Sequence, residues 1–191
     1  MIIGKNKTIQ VLQKKTFWYL SASCIVLFFI FLHDICIKYN FFQRMSKKIV
    51  ITSGFFNPIH IGHINLIREA KLMGDFLVVI VNNDEQVKLK GSMPFMAEKE
   101  RVEIVKALKY ADRVMLAVDK DAFVPETLRA IVKEHQGEFI FAKGGDRNFD
   151  NLPESEKQVC REFNIQVVNN VGGEKVQSSS WLVNNVKNKP I

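Results

Sequence analysis

The most constraining feature of the chain is a glycine-containing turn with two histidines, placed between an apolar run and an amphipathic run. It spans residues 54–63 and reads Gly-Phe-Phe-Asn-Pro-Ile-His-Ile-Gly-His. The strand-like residues 48–52 precede it, and residues 64–71 follow it with helical spacing of their apolar side chains. Gly54 lets the backbone approach a ligand closely, and the free N–H groups at a helix start favour an anion. The sequence therefore predicts a strand, a phosphate-binding turn and a helix in succession.

Two histidines, His60 and His63, flank Gly62 in this turn. Their ring N–H groups can donate hydrogen bonds to phosphate oxygens, and Gly62 leaves space beside the helix N-terminus. The alternative is that both are ordinary surface histidines. The chain contains only four histidines, so finding two around one glycine at a strand-to-helix junction favours the binding site.

From residue 47 onward, short apolar runs alternate with segments of helical spacing. The predicted strands are 49–52, 76–81, 113–117, 139–142 and 166–169. The predicted helices lie near 62–73, 97–109, 123–135, 153–163 and 179–187. Residues 78–81 are continuously apolar, as in a strand that is covered on both faces. This alternation predicts an α/β domain with a Rossmann-like, doubly wound parallel sheet of about five strands, whose ligands bind beyond the carboxyl ends of the strands.

An apolar and basic extension, residues 1–45, precedes this domain. Residues 17–32 contain no charged side chain. A helix over these residues is roughly 24 Å long, shorter than a ~30 Å hydrocarbon core, and extension to residue 37 gives sufficient length. Two interpretations stay open. Either residues 17–37 are an N-terminal hydrophobic helix that anchors the protein to a membrane with its catalytic part in the cytoplasm, or Met45 is the true start.

Charge and cysteine content narrow the classes of function. Residues 1–45 hold six basic residues and one acidic residue, so they carry +5 of the net charge of +7. The domain of residues 46–191 is therefore nearly neutral, and the high pI does not indicate nucleic-acid binding. Cys24, Cys36 and Cys160 form no metal-ligand spacing, so neither a zinc site nor a disulfide framework is expected. A reducing cytoplasmic compartment fits this content.

Five short motifs follow one another along the chain. They are residues 60–63, residues 82–91, Glu98-Lys99-Glu100-Arg101, Lys143-Gly144-Gly145-Asp146 and Gln177-Ser178-Ser179-Ser180. Their order over residues 47–186 resembles that of the cytidylyltransferase-like nucleotidyltransferases, which carry an H-x-G-H element. The pattern is most similar to two branches of that family, the sugar-phosphate adenylyltransferases of the heptose 1-phosphate type and the glycerol-3-phosphate cytidylyltransferases.

The resemblance implies an enzyme that transfers NMP from an NTP, ATP or CTP, to a small phosphorylated acceptor and releases pyrophosphate. Candidate acceptors are a heptose or other sugar 1-phosphate, glycerol 3-phosphate and an aminoalcohol phosphate. A phosphate monoester is already ionised at neutral pH, so the reaction depends on positioning and charge stabilisation. We expect Mg²⁺ to be held mainly by the NTP phosphates, with no protein metal ligands. A homodimer is also expected from the resemblance.

The resemblance also assigns roles to residues. The expected catalytic residues are His60, His63 and Lys90. The expected nucleotide-binding residues are Gly54, Phe55, Phe56, Gly62, Ser178, Ser179 and Ser180. The expected acceptor- or phosphate-binding residues are Asn57, Lys88, Arg101 and Asp146. Both lysines are expected to lie in a flexible loop that closes over the phosphates.

Structural roles remain open for several of these residues. Lys88 and Lys90 can be solvated surface charges, and Arg101 can pair with Glu98 or Asp84. The serines can cap the last helix without contacting a ligand, which is the commonest reason for serine at such a position. Asp146 can be a turn residue after two glycines.

Two departures from the family pattern bear on function. Asn57 stands where the family commonly has aspartate, so a carboxylate is lost. This loss keeps open a second hypothesis, a non-catalytic nucleotide-binding or membrane-tethered module of the same fold. Residues 172–175, Gly-Gly-Glu-Lys, stand where the glycerol-phosphate branch has Arg-Thr-Glu-Gly. Together with residues 143–146, they favour an ATP-dependent sugar-phosphate enzyme slightly over a CTP-dependent one.

Overall fold

The computed structural model describes residues 31–33, 35, 37, 47–145, 150–174 and 176–187. The chain divides into two compact units, Met1–Met45 and Ser46–Ile191. In the first unit the few described residues are helical. Most of the predicted membrane helix, 17–37, lies outside the described residues, so the choice between an anchor and a start at Met45 stays open. Within the described part of the chain, no helix combines the length and apolar character needed to span a bilayer.

The second unit alternates strands and helices along the chain. In order, they are β1 (Lys48–Gly54), α1 (Ile61–Lys71), β2 (Phe76–Val81), α2 (Asp84–Leu89), α3 (Glu98–Lys106), β3 (Arg113–Leu116), α4 (Pro125–Glu134), β4 (Glu138–Ala142), α5 (Glu154–Glu162), β5 (Gln166–Val168) and α6 (Ser179–Lys187). The strands form one parallel sheet in the order β3-β2-β1-β4-β5. The predicted doubly wound α/β fold is confirmed.

Helices cover both faces of the sheet. On one face, α4 and α5 pack against the sheet through a cluster of buried residues: Ile49, Ile51, Val78, Ile80, Leu128, Ile131, Phe139, Phe141 and Val159. On the other face, α1 and α3 pack through a second cluster: Val50, Leu66, Ile67, Leu77, Val79, Val105 and Ile140. Residues 78–81 are fully buried, as predicted for a strand that is covered on both faces. Each such Val or Ile side chain contributes about 1.5–3 kcal/mol relative to an exposed one.

The connection order reverses between β1 and β4. From β1 the chain proceeds outward to β2 and β3 on one side, and it then returns to β4 and β5 on the other. Thr52 of β1 is paired with Ala142 of β4, and the Thr52 hydroxyl donates a hydrogen bond of 2.9 Å to the Ala142 carbonyl. The carboxyl ends of these two strands thus form the crevice in which open α/β sheets bind ligands.

The segment after β2 differs from the prediction of a flexible loop. Asp84–Leu89 form the short helix α2, whose N-terminus is capped reciprocally by Asn83 and Gln86. The buried Gln86 amide also donates hydrogen bonds to the Asp121 and Phe123 carbonyls, at 2.7 and 2.5 Å. Lys88 therefore lies in the last turn of a helix, and Lys90 follows directly after it.

Candidate active site

The turn between β1 and α1 is built around the buried side chain of Phe56. This residue has a left-handed backbone conformation with φ 49°, and the peptide bond from Asn57 to Pro58 is cis. A Cβ atom at Gly54 would lie 2.9 Å from the ring of Phe56, so glycine is required there for packing. The Phe56 ring also contacts the ring of His63, with centroids 4.8 Å apart. The Phe56 ring therefore packs against both Gly54 and His63 and fixes the turn between them.

The two histidines of the turn stack on one another at the N-terminus of α1. Their ring centroids are 3.8 Å apart and their planes differ by 26°. The backbone N–H of His60 donates to Nδ1 of His63 at 3.3 Å. This hydrogen bond assigns the ring proton of His63 to Nε2, which leaves Nε2–H as a donor. Nδ1 of His60 is buried and has no hydrogen-bond partner among the described residues.

Both imidazoles are neutral at pH 7. Burial, the nearby His60 and the charge of Lys90 lower the pKa of His63 from 6.5 to about 3. Burial also lowers the pKa of His60. Desolvation disfavours the protonated form of a histidine, and a nearby cation does the same. The pair can therefore donate hydrogen bonds without being positively charged.

The N-terminus of α6 lies beside the N-terminus of α1. The Ser179 hydroxyl donates to the Pro58 carbonyl at 2.9 Å, and a Cβ atom at Gly62 would lie 3.6 Å from the Gln177 carbonyl and 3.1 Å from the His60 ring. Ser178 caps α6, because its Oγ accepts a hydrogen bond from the Trp181 N–H. Each helix N-terminus carries about half a positive charge, so their proximity creates a site for an anion.

The two predicted loop lysines are placed differently. The Lys90 ammonium lies 4.4 Å from the centroid of the Phe55 ring, and its charge acts on His63. Lys90 and Phe55 therefore lie with the histidines. Lys88 instead pairs with Glu85 at 2.6 Å on the exposed side of α2, and this partner raises the pKa of Lys88. The structure brings Lys90 to the site and leaves Lys88 in a surface ion pair.

The side chain of Arg101 is fully buried next to the segments that follow β1 and β2. Its guanidinium donates to the carbonyls of Phe55 at 2.6 Å and Asn82 at 2.7 Å, and it pairs with Asp84 at 2.7 Å. These partners belong to the segments that follow β1 and β2. The alternative in which Arg101 pairs with Asp84 is thus the one observed, and the guanidinium joins two site-forming segments and is not exposed to solvent.

The Asn57 amide is also occupied within the chain. Its Nδ2 donates to the Met93 carbonyl at 2.8 Å, and its Oδ1 accepts from the Phe95 N–H at 2.5 Å. The side chain is buried. A carboxylate could not donate the first of these hydrogen bonds. The departure from the family's aspartate is therefore matched by a specific contact with the segment before α3.

Lys143, the first residue of the Lys-Gly-Gly-Asp motif, is a site residue that the sequence pattern alone does not identify. It follows β4 directly and is buried, with its ammonium 3.0 Å from Glu156 and 3.4 Å from the Ser53 hydroxyl. The signal in the sequence was a lysine directly after the predicted strand 139–142. Asp146 of the same motif lies outside the described residues, as does Lys175.

Across the part of the chain that the structure describes, no three His, Cys, Asp or Glu side chains are grouped so that they could hold a metal ion. The groups around the histidine pair are imidazoles, hydroxyls, backbone N–H groups and the ammonium of Lys90. This donor set differs from the carboxylate and carbonyl oxygens that Mg²⁺ prefers.

A family profile described as cytidylyltransferase-like matches residues 51–183, which include the turn, the sheet and the start of α6. The chain belongs to the cytidylyltransferase-like family. This confirms the resemblance found in the motifs, and it confirms that the chain is a nucleotidyltransferase.

Several curated relatives support this membership. An FAD synthase from Thermococcus sibiricus is 36% identical over 125 residues, which cover 64% of this chain and 80% of that protein. A second FAD synthase, from Ferroglobus placidus, is 39% identical over 122 residues, which cover 64% of this chain and 74% of that protein. The bifunctional protein HldE from Desulfatibacillum aliphaticivorans is 37% identical over 112 residues, or 58% of this chain. The match spans only 22% of the length of HldE.

The fold is similar to that of solved structures. One of them is a lipopolysaccharide core biosynthesis protein from Thermoplasma volcanium, with a TM-score of 0.50 and 25% sequence identity. The superposition covers 65% of this chain and 96% of that one. The shared part corresponds in size to the cytidylyltransferase-like domain.

Proposed function

We propose that this nucleotidyltransferase transfers AMP from ATP to a small acceptor that bears a phosphate monoester, with release of pyrophosphate. The observation that carries this proposal is the pair of neutral, stacked histidines at the N-terminus of α1, beside the N-terminus of α6. Such a site offers hydrogen-bond donors and partial positive charge without a nucleophile or a strong base. These are the groups that phosphoryl and nucleotidyl transfer require.

In the proposed reaction, a phosphate oxygen of the acceptor attacks the α-phosphorus of ATP in line. A P–O bond forms between the acceptor and the α-phosphorus, and the bond from the α-phosphorus to the bridging oxygen breaks. Pyrophosphate leaves with the electron pair. An acceptor phosphate in its dianionic form has no proton to lose, so a general base is not needed.

The residues of the site would act by orienting and stabilising the triphosphate. His63 would donate from Nε2 to an oxygen on the α-phosphorus, and its position would be fixed by the His60 backbone and the Phe56 ring. The N-terminus of α6, with Ser178, Ser179 and Ser180, would bind the β- and γ-phosphates. Lys90 would neutralise charge that develops on the leaving pyrophosphate. Mg²⁺ would arrive with the triphosphate and neutralise part of its charge.

The choice of ATP and of the acceptor draws on the relatives. FAD contains an AMP unit, so the FAD synthases favour ATP as donor and FMN as one acceptor candidate. HldE and the Lys-Gly-Gly-Asp motif favour a sugar 1-phosphate of the heptose type. Because the reaction consumes a cellular NTP, we also propose that it takes place in the cytoplasm. The homodimer and the membrane contact through residues 17–37 remain predictions.

Pyrophosphate release by the full-length protein tests the proposal. ATP and CTP are each combined with FMN, a sugar 1-phosphate, glycerol 3-phosphate and phosphoethanolamine. We expect release with ATP and one of these acceptors, its loss in the double variant His60→Ala/His63→Ala, and its retention in His135→Ala. His135 is a suitable control because it follows α4 and contacts Phe76 at the amino end of β2.

The alternative is a module that binds a nucleotide without turnover. ATP binding by isothermal titration calorimetry, with no pyrophosphate released in any combination, would favour that module and count against the transferase.

A further inference from the structure

The last residue of α2 and the segment that joins α2 to α3 present large apolar side chains to solvent beside the histidine pair. Leu89, Met93 and Phe95 are 60%, 83% and 65% exposed. Isolated exposed apolar residues are normal on protein surfaces. Three within seven residues, next to a catalytic crevice, indicate a surface that a ligand covers.

The backbone of this segment is fixed to the catalytic turn. Asn57 holds both the Met93 carbonyl and the Phe95 N–H, and Nε of Arg101 donates to the Met96 carbonyl at 3.1 Å. Asn57 lies three residues before His60 in the same turn. Met93 and Phe95 therefore project from a backbone whose position relative to the histidines is set by hydrogen bonds from the side chains of Asn57 and Arg101. Such preorganisation reduces the entropy that is lost on binding.

The same segment borders the phosphate site. Lys90 lies in it, its ammonium contacts the ring of Phe55, and its charge reaches His63. An acceptor whose phosphate lies near these groups must extend its remaining part over a neighbouring surface. Among residues 89–96, the polar side chains are those of Lys90 and Ser92. A polyhydroxylated sugar would need more hydrogen-bond partners than these two to replace its contacts with water.

We propose that Met93 and Phe95 form an acceptor-binding platform, positioned by the Asn57 amide, for a phosphate monoester that carries a flat aromatic ring system. The platform rests on the nucleotidyl transfer proposed above, and it narrows the acceptor class. The flat ring of a flavin matches the exposed thioether and phenyl groups, which bind aromatic surfaces well.

The test compares acceptors and variants in the full-length protein with ATP as donor. FMN and a sugar 1-phosphate serve as acceptor probes, and pyrophosphate release is followed at varied acceptor concentration. The variants are the double change Met93→Ser/Phe95→Ser, the conservative double change Met93→Leu/Phe95→Leu, and Asn57→Asp. The control is Leu72→Ser, since Leu72 is 77% exposed and lies just beyond the C-terminus of α1, away from the histidines.

We expect FMN to be the better acceptor. Met93→Ser/Phe95→Ser should raise KM for FMN by about tenfold or more, with the Kd for ATP and the melting temperature unchanged. The leucine variant should recover most of the affinity, Asn57→Asp should raise KM in the same direction, and Leu72→Ser should match the wild type. These results would support the platform.

Two results would overturn the platform while leaving the transferase intact. One is turnover with the sugar 1-phosphate and none with FMN. The other is an unchanged KM for FMN in the serine variant. ATP binding without pyrophosphate release from any acceptor would instead overturn the proposed transfer, and the platform with it.

Discussion

The imidazole of His60 lies over the imidazole of His63, with 3.8 Å between the ring centroids. Two protonated rings at this distance would repel one another, whereas two neutral rings can stack. The lowered pKa values of both residues agree with this arrangement. Each neutral imidazole keeps one ring N–H, so each can still donate a hydrogen bond to a phosphate anion.

The stability of the protein should depend on pH through His63. Its pKa falls from 6.5 to about 3 on folding, so between these values the unfolded chain binds more protons than the folded protein. The His63 contribution to the free energy of unfolding is fully present above pH 6.5, and it is lost progressively as the pH falls towards 3. Urea unfolding over this range should show a shallower pH dependence in His63→Gln. An identical dependence in the variant and the wild type would contradict the lowered pKa.

Gly62→Ala should reduce activity with little change in stability. The added Cβ would lie 3.1 Å from the His60 ring and displace it. A small misplacement of a catalytic group can cost up to about a hundredfold in rate, while alanine in a helix is favoured over glycine by up to ~1 kcal/mol. Pyrophosphate release and thermal unfolding measure the two effects. In a His60→Ala background, the methyl group should cost much less activity. Equal losses in both backgrounds would argue against displacement of the ring.

Ser179→Ala should loosen α6 from the catalytic turn. The variant loses the 2.9 Å hydrogen bond to the Pro58 carbonyl, which should lower the free energy of unfolding by about 1 kcal/mol. We also expect weaker ATP binding by calorimetry. Ser180→Ala provides the control for stability, because the exposed Ser180 hydroxyl lies 3.1 Å from the Ser178 hydroxyl and not against the turn. Equal stability losses in the two variants would count against this role for Ser179.

Arg101→Lys should be strongly destabilising although the charge is kept. An ammonium cannot reproduce the fork of donors that reaches Phe55, Asn82 and Asp84 together. A charged group that stays buried without its hydrogen-bond partners costs about 3 kcal/mol or more. Lys88→Ala should leave the denaturation midpoint unchanged, because its ion pair with Glu85 is exposed to solvent. A wild-type midpoint in Arg101→Lys would contradict the structural role.

The fold was largely readable from the sequence because its strands are buried on both faces. β2, for example, occupies Phe76–Val81, the residues predicted from a continuous apolar run. The helix α2 was missed because it has only six residues and a mostly polar composition. Asn83 followed by Gln86 was a capping-box signal that could have revealed it.

The sequence predicted those parts of the site whose residues are close neighbours along the chain. The His-Ile-Gly-His turn and the serines at the start of α6 are such parts. The role of Asn57 was not predicted, and for Arg101 only the pairing with Asp84 was anticipated, because the other partners are distant in sequence. Asn57 binds residues 36 and 38 positions away, and Arg101 reaches Phe55 across 46 positions. A buried guanidinium is also rare, so nothing local predicts it.

The most direct test of the central claim is to follow each phosphate of ATP through the reaction. The full-length protein is incubated with the preferred acceptor and with ATP labelled either at the α- or at the γ-phosphate. Nucleotidyl transfer at the histidine pair predicts that the α-label enters the acceptor product and that the γ-label leaves in pyrophosphate. It also predicts that the double variant His60→Ala/His63→Ala neither transfers the α-label to the acceptor nor releases the γ-label in pyrophosphate. A γ-label in the acceptor product, or unchanged transfer in the double variant, would contradict the account.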